Sequence, residues 1–192
     1  MIRAIFPLPV FILPGGYTRL RIFETRYLDM VKEALKNDGQ FVLCDYDSQT
    51  YSNVPETGCL VKIVDFDQDD NGNLLIDISA QSVVTISNVT FSKNKLRYGE
   101  TKLLQGPGWL SYTQPLSFDD QILRDSLEKL FAENHELSSI YKSTCFDELP
   151  WVIARWLELI PISHNKKQQL AFNSGFANIQ NFLHTVINNE FT

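Results

Sequence analysis

The residue types able to do chemistry in this chain are few and scattered. Three histidines, His135, His164 and His184, lie at wide spacing in the second half. An imidazole works as a base or metal ligand beside a carboxylate or a second ligand, and the spacing supplies neither. Cys44, Cys59 and Cys145 are an odd number with no close pair, which argues against a disulfide framework or a zinc site. Each sits in an apolar stretch, so the expectation is buried, inert thiols. No Walker phosphate loop, G-x-G-x-x-G, G-x-S-x-G or H-E-x-x-H occurs. No catalytic, cofactor-binding or metal-binding residue is assigned, and the chain reads as a non-enzyme. A hydrolase would need a buried, pKa-shifted dyad, which sequence cannot display.

Two charged clusters suggest ligands. Asp67-Gln68-Asp69-Asp70-Asn71-Gly72 matches the first half of a calcium loop, with oxygens at alternate positions and then glycine. The bidentate glutamate would fall at position 78, which is Ile78, and the flanks alternate like strands. A solvated hairpin tip is the simpler reading. Lys93, Lys95 and Arg97 alternate with Asn94, Leu96 and Tyr98, predicting a positive stripe on one strand face. Joined to Arg19 and Arg21, such a stripe could hold RNA. Against it stand 17 Lys plus Arg facing 23 Asp plus Glu, a net charge of −6.

The elements that position these groups change character midway. Apolar residues make up 44% of 192, enough for a folded core and too many for disorder. Ile2 to Leu8, Val10 to Leu13, Tyr17 to Ile22, Gln40 to Tyr46, Cys59 to Phe66, Leu74 to Ala80, Val83 to Val89 and Leu96 to Leu104 read as extended segments. They amount to six or seven strands. Tyr27, Leu28, Val31, Ala34 and Leu35 recur at helical spacing, predicting one inserted helix over 23–36, stopped at Asn37-Asp38-Gly39. Asn71-Gly72 predicts a type I′ hairpin turn. A Pro- and Gly-containing connector over 107–116 separates this half from a helical one, residues 117–192. There Ser117 and Asp120 resemble a capping box, Pro161 stops one helix and Ser163 caps the next. The fold class is α+β, with a β unit over 1–106 and a helical unit over 117–192. The longest apolar runs are four residues, too short to span a membrane, and the start of the chain lacks an export signal. A reducing cytoplasm is the expected location.

Pro7-Leu8-Pro9-Val10-Phe11-Ile12-Leu13-Pro14-Gly15, then Leu20-Arg21-Ile22-Phe23-Glu24-Thr25-Arg26-Tyr27, resembles the opening of the Lon protease N-terminal domain family. Gly58-Cys59-Leu60-Val61-Lys62-Ile63 is similar to a later strand of that family. Pro150 to Pro161 and Lys166-Lys167-Gln168-Gln169-Leu170 are similar to its helices. The chain departs from the family's "G..R" pattern after the hairpin, with Ala80 and Val83 in those places. The resemblance implies a PUA-like β-barrel with one inserted helix, followed by a C-terminal α-helical bundle. It implies a stand-alone substrate-recognition domain without ATPase and peptidase modules.

The function so implied is non-catalytic: binding unfolded or exposed polypeptide segments as an adaptor or chaperone-like module, with a protease or other protein as a further partner. No cofactor or membrane is called for, and PUA-like RNA binding is the alternative. Glu24 and Arg26 are expected to pair with neighbouring groups at the helix entrance, where a carboxylate suits the positive end of the helix dipole. Aromatics in irregular segments, Tyr46, Tyr51, Trp109 and Tyr112, are the candidate binding residues, with packing as their other reading. If Asp67, Asp69 and Asn71 only form a turn, 1 mM calcium should leave the melting temperature unchanged. A site with Kd near 10 μM would stabilise by roughly 2.7 kcal/mol, which a thermal melt detects.

Overall fold

The alternating first half becomes six strands and one helix: β1 (Ile2–Pro7), β2 (Tyr17–Ile22), α1 (Thr25–Lys36), β3 (Gln40–Cys44), β4 (Thr57–Gln68), β5 (Leu74–Phe91) and β6 (Arg97–Leu103). These come from a computed structural model that describes residues 1–190. The chain divides into two compact units, Met1–Gln105 and Gly106–Thr192. No helix among the described residues is long and apolar enough to cross a membrane.

In the first unit the sheet order is β2-β5-β4-β3-β1-β6, and β6 also pairs with β5. β1 runs parallel to β3, while the other pairs are antiparallel. The two strands expected over 74–80 and 83–89 are one, β5, which pairs with β2 through its first half and β6 through its second. It bends because Gln81 is an extra residue between Ser82, opposite Leu60, and Ala80, opposite Val61. Ala80 and Val83 are both buried at this bulge, and Ala80 exchanges backbone hydrogen bonds with Gly15 and Gly16. Five strands pair in a ring, β5-β4-β3-β1-β6 and back to β5, while β2 adds only to β5, so the six together are not one closed barrel. Val10 to Leu13 is not a strand. The prolines at 7, 9 and 14 interrupt the ladder, and Ile12 turns into the core instead.

Alternation places Phe41 and Leu43 in a core cluster with Tyr27, Met30, Val31 and Ala34 of α1. Val42 and Cys44 join Ile5, Val54, Val84 and Ile86 in a second cluster. Met30 is fully buried and Leu35 is exposed, which turns the helix's apolar stripe away from the expected one. The 69–73 hairpin closes with Gly72 N–H donating to Asp69 O at 2.9 Å, and only Gly72 has positive φ. That is a type I turn followed by a left-handed glycine, not the expected type I′ turn. The Asp69 carboxylate caps it, accepting N–H groups from Asn71 and Asn73 and pairing with Arg21 at 3.0 Å.

In the second unit a 3₁₀ turn, Gly108–Ser111, precedes α2 (Gln121–Glu133), α3 (His135–Ile140), α4 (Leu149–Leu159), α5 (His164–Asn173) and α6 (Phe176–Glu190). Leu123, Leu127, Val152, Ile153, Leu157, Ile179 and Leu183 are fully buried. The Trp156 indole N–H donates to Leu123 O at 2.8 Å, joining α4 to α2. The short α3 escapes sequence periodicity, because one and a half turns show no repeating stripe; its signal is Asn134, which accepts Leu137 N–H. Ser163 accepts the Lys166 N–H and caps α5, as expected.

Gly58 shows why one residue of the family-like text has no side chain. A Cβ there would lie 2.8 Å from Val42 Cγ1 and 2.9 Å from the Leu43 carbonyl oxygen. The backbone oxygen cannot move without breaking the β3–β4 ladder. Gly58→Ala should therefore destabilise the protein by about 1–3 kcal/mol in urea unfolding. An unchanged midpoint would contradict this packing.

Candidate functional site

The loop between β3 and β4 carries Tyr46 and Tyr51, and it is held by its own chemistry. Val54 is buried in the second core cluster. Thr50 Oγ1 accepts the Val54 N–H at 2.9 Å, and Asp47 Oδ1 accepts the Gln49 N–H at 2.9 Å. From β6, Arg97 Nε–H donates to Ser52 O at 2.7 Å across 45 residues of sequence. The Arg97 guanidinium lies 5.7 Å from the centre of the Phe91 ring. Tyr51, at the tip, sets its ring edge-on to Phe91 at 6.3 Å and 86°. Tyr51 is 96% exposed and Phe91 44%. Tyr46 is half exposed and makes no ring contact among the described residues.

Helix α1 borders the same side. The Arg97 guanidinium neighbours the Tyr27 hydroxyl, and the Tyr27 ring stacks on Phe6 at 4.0 Å. Burial, then the charge of Glu24, pushes the Tyr27 hydroxyl above its ordinary pKa, opposed by Arg26 and Arg97. Arg26 pairs with Glu24 itself at 2.6 Å and lies over the Tyr27 ring at 5.6 Å. The preceding Phe23 is 69% exposed. Asn94 donates to Asp29, and Tyr98 donates its hydroxyl to Glu33, so the β5–β6 hairpin is fastened along α1. A continuous run of contacts thus passes from Arg26 through Tyr27, Arg97 and Phe91 to Tyr51.

The positive stripe expected on one strand face does not form. Lys93 and Lys95 lie in the hairpin turn, where Lys95 has φ 63°, and only Arg97 is on β6. Its guanidinium is half-buried against a ring, not on a solvated face. Arg19 is neutralised by a bidentate pair with Asp77 at 2.6 and 2.8 Å, and Arg21 by Asp69. Basic and other residues do alternate along 93–98, but the hairpin turns between them, so they do not share a strand face.

Trp109 and Tyr112 separate by burial. Trp109 is 4% exposed, donates its indole N–H to Ala171 O at 2.9 Å and lies 5.8 Å from the Phe176 ring. It is packing, not surface, because its ring and its one donor are both consumed inside the helical unit. Tyr112 is half exposed, edge-on to Phe176 at 6.1 Å. Cys145 is exposed, against the expectation of a buried thiol, while Cys44 and Cys59 are buried. Burial pushes the Cys44 thiol up to about 12, which makes it inert. Sequence reasoning missed Phe91, which lies beyond the strand expected to end at Val89 and carries no spacing signal of its own. It also missed the cluster of Phe131, Tyr141, Phe146 and Trp151, with ring centres 4.9 to 6.2 Å apart. No group of three metal-ligating side chains occurs among the described residues.

One constellation invites a catalytic reading. Buried Asp120 accepts the Ser117 hydroxyl on Oδ2 at 2.6 Å, and Gln180 Nε2 and His184 Nε2 on Oδ1 at 2.6 and 2.9 Å. Serine activation needs the hydroxyl to donate to the imidazole. Here hydroxyl and imidazole both converge on the carboxylate, so the cluster ties the start of α2 to α6 and does not arm a nucleophile.

A curled six-stranded sheet carrying one packed helix, joined in sequence to an all-helical unit, defines a mixed α+β protein of the Lon N-terminal type. The chain belongs to the family of the ATP-dependent protease La (LON) substrate-binding domain, whose model matches residues 3–185. It is similar to the crystal structure of a Lon N-terminal domain protein from Xanthomonas campestris, at 25% identity and TM-score 0.64, over 88% of this chain and 89% of that one. The N-terminal domain of the Mycobacterium avium complex Lon protease shares the fold at 9% identity and TM-score 0.61, over 100% of both chains. No curated protein matches the chain in sequence.

The Asp120 cluster makes stability depend on pH. Burial raises the carboxyl's pKa, but the hydrogen bonds from Ser117, His184 and Gln180 outweigh it and hold it below the ordinary range. Its contribution is full above the unfolded value of about 3.9 and is lost as pH falls through the lower folded value. Asp120→Asn should cost about 1–3 kcal/mol at pH 7, with the difference from wild type narrowing below about pH 4. Urea melts across pH measure this, and a pH-independent difference would contradict it.

Proposed function

We propose that the protein binds exposed segments of other polypeptides through the surface of Tyr51, Phe91 and Arg97, as a substrate-recognition module of adaptor or chaperone-like type. The observation that carries this reading is the pairing of an almost fully exposed Tyr51 with Phe91 on a loop anchored at Val54, Thr50 and Arg97. A ring left in water on a flexible loop would be ordinary surface. A ring held in place has already met most of the ordering cost of binding. Unfolded clients offer apolar and aromatic side chains, which such a platform fits. The family match supports the same role, and a protease or another protein partner would receive the bound segment. The neutralisation of Arg19 and Arg21 speaks against the RNA-binding alternative.

Fluorescence anisotropy with a permanently unfolded model protein tests this. Binding is expected at micromolar strength or weaker, changing less than about threefold between 50 and 300 mM salt. Tyr51→Ala and Phe91→Ala should each weaken it about fivefold or more. Trp109→Ala should act instead on the melting temperature, because its ring is interior. Salt-sensitive RNA binding, with no effect of Tyr51→Ala on client binding, would sink the reading.

A further inference from the structure

We propose that Arg97 receives a carboxylate, so that the surface selects client segments in which an Asp or Glu side chain neighbours an apolar or aromatic one. The proposal rests on the polypeptide-binding reading above. It comes from the arginines taken together. Arg3 pairs with Asp38, Arg19 with Asp77, Arg21 with Asp69, Arg26 with Glu24, Arg124 with Asp125 and Arg155 with Glu158. Arg97 alone has no carboxylate within 4.0 Å among the described residues. The neighbouring acids are engaged elsewhere: Asp29 accepts from Asn94, Glu33 from Tyr98, and Asp45 from the Tyr46 N–H.

A guanidinium that is half-buried has lost part of its hydration and gains most from a charge-assisted hydrogen bond. Arg97 is also already oriented. Its Nε–H is spent on Ser52 O, the Phe91 ring lies under its plane, and the Tyr27 hydroxyl flanks it. The remaining N–H groups form a fixed planar fork of the kind that takes both oxygens of a carboxylate. Phe91 lies against that guanidinium and Tyr51 lies edge-on to Phe91, so an apolar client side chain on these rings would lie next to its acidic neighbour. A phosphate with a stacked base would meet the same groups. One open arginine and a net charge of −6 favour the polypeptide.

The test uses the full chain and fluorescein-labelled peptides of about twelve residues with amidated ends, identical except for Asp or Asn after a central Phe. The Asp peptide should bind about fivefold tighter than the Asn peptide. Arg97→Gln should erase that preference, bringing both peptides to one common, weaker affinity, because the same side chain also holds the Tyr51 loop at Ser52. Arg97→Lys, which keeps the charge, should retain a preference for Asp, and it carries the test should Arg97→Gln melt early by circular dichroism. Equal binding of the two peptides, still dependent on Tyr51, overturns the carboxylate site and leaves the binding reading standing. A preference for Asp that survives Arg97→Gln overturns the assignment to Arg97. Tighter binding of the Asn peptide when its end is left as a free carboxylate, to the level of the Asp peptide, overturns the side-chain assignment. Competition by poly(U) that needs Arg97 and is tighter than the Asp peptide overturns the polypeptide class. Failure of every peptide to bind overturns the reading beneath it.

Discussion

The first unit depends on a single long strand that has to satisfy three partners. β5 runs eighteen residues and pairs with β4 along most of its length, with β2 at its start and β6 at its end. A strand that long cannot serve two different neighbours on one edge while straight. The extra residue at Gln81, and a second register shift between Ser87 and Thr90 where Asn88 has φ 50°, provide the bends. The bends curl the sheet until β6 returns to β5. They also carry Phe91 and Arg97, at the two ends of the β5–β6 turn, to the side where α1 begins.

Everything singled out as a site follows from that return. The hairpin is fastened to α1 through Asn94 and Tyr98, and its strand end supplies the arginine that holds the 45–56 loop at Ser52. Tyr51 therefore takes its position from residues forty or more places further along the chain. The aromatic ring does the contacting in the proposed role, and Arg97 gives it a fixed place. The helical unit works by a different principle. There buried polar groups lock the elements: Asp120 gathers Ser117, Gln180 and His184, and the indoles of Trp109 and Trp156 each reach a backbone carbonyl.

Local pattern determined much of this protein. Period-two alternation located the six strands, and period 3.6 located α1, α2, α4 and α6, because burial on one face repeats with the geometry of the element itself. Short-range chemistry placed the ends: Ser163 as a cap, Pro161 as a stop, Gly72 in a turn. Family-like text at Pro7–Gly15 and Phe23–Tyr27 pointed to the Lon N-terminal domain. Tertiary structure decided what local pattern cannot encode. Whether 74–80 and 83–89 are one bent strand or two depends on what pairs with their edges. Whether Lys93, Lys95 and Arg97 share a face depends on where the hairpin turns. Trp109 and Tyr51 look alike in sequence, both aromatic in irregular segments, yet one fills the helical core and the other stands in water. Exposure, and the lack of a carboxylate beside Arg97, are properties of neighbours brought from distant parts of the chain, and only the fold chooses those neighbours.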